Sequence, residues 1–237
     1  MLKKLLIVLI FSIYSYGSFD QETTQLKDIN KDGAVINIGN LKIGQSGIVV
    51  HDYDEKDSII VANAIVLSST NNSSKIKFIK FDDLAQNALP TTKLAPVQND
   101  TLVLNYLYSK SLLIAPNTQA YRSVEENLPS QTFLNSDIFA SYLKLDANPT
   151  PNKDDFISFC KKHNLGTIYV VIDNKFYILD AKSFKLLDTL PISYQDTKEE
   201  LPFYTRVDKI EKNSFAWFQD SSIGDYKSYY NKLLGLK

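Results

Sequence analysis

The chain is short of the residues that most active-site chemistry needs. Among its 237 residues Cys160 is the only cysteine, so no intramolecular disulfide can form and stability has to come from packing. A zinc ion takes at least three protein ligands, and beside Cys160 there are only His51 and His163. Arg122 and Arg206 are the only guanidinium groups; every other basic side chain is a lysine. Forked arginines are the preferred readers of phosphates and bases. A formal net charge of −1 adds no electrostatic pull toward nucleic acid or membranes. There is no Gly-rich phosphate loop, nucleophile-elbow serine, HExxH or internal repeat. No catalytic residue, metal or cofactor is expected, and an enzyme with an unrecognised site is the weaker class beside a binding or scaffolding protein.

Long apolar runs are missing as well, with one exception at the start. Lys3 and Lys4 precede an apolar stretch from Leu5 to Ile13 that only Ser12 interrupts, and Ser15-Tyr16-Gly17 follows. That is the pattern of a secretory signal peptide. The stretch is too short to anchor the chain, because a membrane helix needs roughly 20 apolar residues. No cysteine follows it, so no lipid anchor is expected there. Residues 1–17 are therefore expected to be removed, giving an exported protein from about Ser18 in the periplasm or at the cell surface. Losing Lys3 and Lys4 leaves 24 basic and 27 acidic residues.

What remains reads as α+β, with a β-rich small barrel or sandwich followed by a small α/β domain. Residues 18–32 are polar and are taken as a lead-in. Strands are predicted at Ala34–Ile38, Gly47–His51, Ser58–Leu67, Ile76–Phe81, Thr101–Tyr106 and Leu112–Ala115, separated by Asn-, Asp-, Ser- and Gly-containing turns. Lys75-Ile76-Lys77-Phe78 alternates with its lysines outward, and Ile79-Lys80-Phe81 breaks the phase, which predicts a bulge or a strand end. The β-rich domain is placed at 33–118, a linker at 119–132 and the α/β domain at 133–237. In the latter, Leu134, Ile138, Phe139, Tyr142 and Leu145 have helical spacing, with Asn135 or Ser136 as cap. Asn152 is expected to cap a second helix that turns Phe156, Phe159, Cys160 and His163 inward, with Gly166 as its stop. Thr167–Ile172 and Phe176–Leu179 form a predicted hairpin. Phe184–Leu190, Phe203–Ile210 and Phe215–Phe218 are further strand candidates, with Trp217 in the core. Tyr226, Tyr229, Tyr230, Leu233 and Leu234 mark one face of a C-terminal helix.

Three clusters invite a functional reading. Asp28-Ile29-Asn30-Lys31-Asp32-Gly33 copies the opening of an EF-hand loop, but the twelfth position, where a bidentate Glu belongs, is Gly39. An Asx-rich turn is the simpler reading. Asp52, Asp54, Glu55 and Asp57 read as a solvated hairpin turn. Cys160 and His163 lie one helical turn apart, and a packed thiol near a surface histidine accounts for both.

At Leu107-Tyr108-Ser109-Lys110-Ser111-Leu112-Leu113-Ile114-Ala115-Pro116-Asn117, with Asp137–Leu143 and Phe156–Val171, the chain resembles the plasminogen-binding protein N-terminal family of epsilonproteobacterial envelope proteins. The resemblance runs from about Ile29 to Leu234. It implies an exported, non-enzymatic protein whose partner is host plasminogen. Members of that family can carry a lysine-rich tail beyond this domain; the sequence here ends at Lys237. Plasminogen's kringle domains accept a lysine ammonium and a nearby carboxylate across an aromatic trough, and a terminal lysine presents both charges. Lys237 is thus the plasminogen-binding candidate. The alternative partner is an envelope component, with the protein as a periplasmic structural or scaffold element of an assembly such as a flagellar motor.

Overall fold

The computed structural model describes residues 19–54, 57–83, 93–195, 198–211 and 223–236. The expected signal peptide, Glu55, Phe215–Phe218 with Trp217, and Lys237 lie outside them.

The chain is α+β, as its patterning predicts. Its first part is an antiparallel sheet of β1 (Glu22–Gln25), β2 (Asp28–Asn30), β3 (Gly33–Ile36), β4 (Ser46–Asp52), β5 (Ser58–Ser69), β6 (Ser74–Lys80) and β7 (Thr101–Leu104), ordered β1-β7-β4-β5-β6-β3-β2. The two marginal strands are consecutive in sequence, joined only by Leu26 and Lys27. A flat sheet of seven strands would hold its margins about 29 Å apart at the usual spacing. Three Cα steps span at most about 11 Å. The sheet must therefore curl until its margins meet, and Leu26 is fully buried where they do. Its N–H donates to the Asp100 carbonyl and its carbonyl accepts from Asn99 N, both at 2.9 Å. The enclosed face carries Ile36, Val49, Ala64, Val66, Ile76 and Leu102. The polar lead-in thus supplies both margins of the sheet. Lys75 and Lys77 are exposed, as the alternation predicts. β6 ends at Lys80, and the register break sits on its partner β5, between Val66 and Ser68, which leaves Leu67 unpaired and 53 % exposed.

The second sheet is built from β8 (Lys110–Ile114), β9 (Thr132–Leu134), β10 (Thr167–Ile172), β11 (Lys175–Asp180) and β12 (Leu186–Pro191), ordered β12-β11-β10-β8-β9. β10 and β11 form the predicted hairpin, while β8 pairs parallel with both β10 and β9. Parallel strands are covered on both faces and read as unbroken apolar runs; every residue of Thr167–Ile172 is buried. One face is covered by α1 (Thr118–Asn127), through Ala120, Tyr121 and Val124. The other is covered by α2 (Ser136–Leu145), α3 (Lys153–His163) and α4 (Tyr226–Leu234). Residues 119–132, expected as a linker, thus hold most of α1 and the first residue of β9, and the β8 strand expected in the first domain belongs to the second sheet. The reason is long-range pairing: β8 follows β7 closely in sequence but finds its ladder 56 residues on, where Ser111 pairs with Thr167.

The helices start where their caps dictate. Asn135 caps α2 by accepting from Asp137 N. Asn152 caps α3 in a full capping box with Asp155, and Asn117 caps α1. α3 stops at Asn164, which takes the left-handed conformation at φ 53°, rather than at Gly166. Gly166 is required for a different reason. A Cβ there would lie 2.5 Å from the Leu107 carbonyl carbon, so only glycine lets this turn approach the connector between the sheets. Phe203 and Ile210 are buried, but residues 203–210 run without a ladder, in place of the expected strand.

Candidate functional site

The two sheets meet along the outer face of β4, β5 and β6. Ile48, Asn63 and Ile79 stand side by side there, because the register pairs Ile48 with Asn63 and Asn63 with Ile79. Facing them are Ile157, Cys160 and Lys161 of α3, Leu165 and Gly166 beyond it, and Ala181 and Lys182 after β11. A cleft of about 170 Å³ remains between the two walls. Two ion pairs stand at its rim. Lys161 Nζ reaches Asp82 at 2.7 Å and Lys182 Nζ reaches Asp83 at 2.7 Å, each crossing from the second sheet's side to the segment after β6.

Next to the cleft sits a buried carboxylate. Asp180 is fully buried at the end of β11. Its Oδ2 accepts from the Tyr108 hydroxyl at 2.6 Å and from the Ser46 hydroxyl. Its Oδ1 accepts from Lys182 N at 3.0 Å and Ser183 N at 2.6 Å. Ser46 N in turn donates to the Tyr108 hydroxyl at 3.0 Å. Ser46 lies on β4, Tyr108 on the connector and Asp180 on β11, so one carboxyl ties together both sheets and the segment that joins them. A buried charge is tolerable only when donors replace its lost water, and here four do. Burial first, and the neighbouring Asp180 second, push the Tyr108 phenol well above its ordinary value. The same two causes raise the Cys160 thiol, away from the thiolate that is the reactive form.

The clusters singled out in the sequence fall elsewhere. Asn30 turns its side chain onto Asp32 N at 2.9 Å and Gly33 N at 3.0 Å, closing the β2–β3 turn as an Asx turn and not as a calcium loop. Asp54 accepts from Asp57 N at 2.9 Å within the β4–β5 turn. Cys160 is sealed in the core, whereas the half-exposed His163 lies over the Phe159 ring at 4.4 Å. Burial first, then Lys162, lowers the His163 imidazole. Among the described residues no group of three or more His, Cys, Asp or Glu is placed to hold a metal ion. No described helix is long and apolar enough to cross a membrane. Lys237 follows a firmly seated helix. Tyr226 and Tyr230 are buried, the Tyr229 hydroxyl donates to Pro151 O at 2.5 Å, and Gly235 closes the C-terminus at φ 68° with Leu236 N donating to Asn231 O.

The fold is thus a curled antiparallel sheet joined to a second, helix-covered sheet through the buried carboxyl of Asp180. The family described as plasminogen-binding protein pgbA N-terminal matches residues 21–234, and the chain belongs to that family. It is 26 % identical over 197 residues to the plasminogen-binding protein PgbA of Helicobacter pylori strain J99 and 25 % identical over 197 residues to that of strain 26695. Each match covers 82 % of this chain and 43 % of the relative. No solved structure matches the chain.

Proposed function

We propose that this protein is an exported, non-enzymatic binding protein of the bacterial cell envelope that captures host plasminogen through lysine. Membership of the plasminogen-binding family across nearly the whole chain carries this reading. The signal-like first 17 residues support export. Lys237 is the lysine proposed to engage a kringle. In a protein ending at Lys237 the ammonium and the carboxylate sit on one residue beyond the anchored α4, whereas Lys75 and Lys77 on β6 lack a carboxylate of their own.

The test is surface plasmon resonance of plasminogen against the protein from Ser18 to Lys237 and against one ending at Leu236. A charge-assisted contact is worth roughly 1.5–3 kcal/mol, so removing Lys237 should weaken binding about tenfold or more. A free lysine analogue should compete. Equal binding by both proteins, or indifference to the analogue, would refute lysine capture and turn attention to a partner within the envelope.

A further inference from the structure

A second cavity, of about 420 Å³, opens on the α1 side of the second sheet, where the C-terminal end of α1 meets the connector and the lead-in residues Phe19–Gln21. Its volume is that of a small-molecule site. Gln131 stands in its wall. The Gln131 Nε2 donates to the Tyr108 carbonyl at 2.7 Å and to Ser111 Oγ at 2.6 Å. A carbonyl can only accept, so these bonds fix the amide, and Gln131 Oε1 is left without a donor among the described residues. The Tyr169 hydroxyl, also of this wall, has no partner among them either. Neither atom is sealed off. Among the described residues the side-chain atom both shut away from water and unpaired is Asn63 Oδ1, in the other cleft.

The charges around the cavity have one sign. Its described lining holds one carboxylate, Asp20, and no lysine, arginine or histidine. α1 ends in the wall at Asn127 and Leu128, which brings the negative end of the helix dipole there. Helices usually answer that end with a base; the last turn of α1 holds Glu125 and Glu126 and no base. Arg122, one turn back, offsets part of Glu125. Burial, and behind it the carboxylate of Asp188, raise the Tyr169 phenol to about 12, so the field at that hydroxyl is negative too. The rings of Phe19, Tyr108 and Tyr169 complete the wall, the first two packed edge to face at 5.8 Å. Aromatic faces attract cations as well as apolar groups.

We propose that this cavity binds a primary organic ammonium, one N–H donating to Gln131 Oε1 and the apolar body lying against the aromatic wall. An ammonium brings only donors, which is what the open acceptor requires. A carboxylate brings only acceptors and would enter a negative field with no base to meet it. An apolar cavity of about 150 Å³ accommodates benzene, so about 420 Å³ admits a phenyl ring with an aminoethyl chain. The site is separate from Lys237 and does not depend on plasminogen.

The experiment uses isotopically labelled protein from Ser18 to Lys237 at pH 7, followed by NMR. It is titrated separately with 2-phenylethylamine, its neutral analogue 2-phenylethanol and the acid 3-phenylpropanoate. The expected result is saturable shifts of the Gln131 side-chain amide and the Tyr169 ring with the amine. The alcohol should bind more weakly and the acid at least tenfold more weakly than the amine. Gln131→Leu should weaken the amine at least tenfold. Asp20→Asn alters an exposed side chain of the lead-in; it should weaken the amine, leave the alcohol unchanged, and decide the matter if the Gln131 variant does not fold. Absence of saturable shifts at Gln131 and Tyr169, equal response to amine and acid, or unchanged amine binding in a folded Gln131→Leu protein or in Asp20→Asn would each overturn the proposal.

Discussion

The hydroxyl of Tyr108 donates to the carboxyl of Asp180 at 2.6 Å, and both side chains are buried. The two residues are 72 apart in sequence; one belongs to the connector, the other to the second sheet. Through Ser46 the same carboxyl grips the first sheet, so how the sheets seat on one another depends on this contact.

Tyr108→Phe removes one donor from Asp180 and the acceptor of Ser46 N while keeping the ring. A hydrogen bond to a charged group is worth roughly 1.5–3 kcal/mol, and the variant should lose about that much. Asp180→Ala, which strands four donors, should lose more. Urea unfolding at neutral pH measures both, and a Tyr108→Phe protein as stable as the parent would show that the contact is dispensable.

Alkali should unfold the protein through its tyrosines. Burial pushes the phenols of Tyr121, Tyr169 and Tyr229 from 10.0 up to about 12, assisted by Glu125, Asp188 and Asp155 in turn. Above pH 10 the unfolded chain releases these protons while the folded chain keeps them. The unfolded state then binds fewer protons, and stability falls as pH rises. The contribution is fully present below pH 10 and is lost as pH climbs through about 12. Urea midpoints taken across this range, alongside phenolate absorbance, should fall together with the appearance of these phenolates. A flat midpoint would contradict the burial seen here.

Phe159 and Cys160 share the inner face of α3 but should respond differently to truncation. The Phe159 ring packs 4.7 Å from Phe139 and is fully buried, so Phe159→Ala should cost about 3–5 kcal/mol. Cys160→Ala removes a single sulfur and should be much milder. The thiol itself should ignore a disulfide-exchange reagent at mildly alkaline pH until denaturant is added. Rapid labelling of the native protein would place Cys160 at a surface.

Export predicts a defined start. N-terminal sequencing of the protein recovered from its own envelope fraction should begin near Ser18; a start at Met1 would exclude signal cleavage.

Local chemistry was readable from the sequence, and long-range chemistry was not. Asn152 followed by Asp154 and Asp155 announces the α3 cap, and Thr167–Ile172 announces a strand covered on both faces. Lys75 and Lys77 announce the exposed face of β6. In contrast, β1 and β2 are short and polar because they are margins, so nothing in Glu22–Gln25 distinguishes them from a tail. Asp180, followed by Ala181, Lys182 and Ser183, reads as a turn residue; only the arrival of Ser46 from 134 residues upstream makes it the centre of the junction. Asn63 sits between Ala62 and Ala64 on a strand whose pattern would place it in water, and it is buried only because the second sheet's helices cover that face. One signal did exist for it: a lone amide in the otherwise apolar stretch Ile59–Leu67.

The two-residue link through Leu26 also bears on how the protein behaves among its own kind. Edge strands invite main-chain pairing with other molecules, and proteins defend against it by keeping such strands short. Here the margins of the large sheet are β1, four residues long, and β2, three residues long. They are drawn round to meet each other, so the twelve-residue β5 lies well inside the sheet. An incoming strand finds only three or four residues to zip onto, too few to hold. The large sheet of a protein that is exported as proposed, and folds in the company of its own copies, thus presents no long template among its described residues on which they could polymerise.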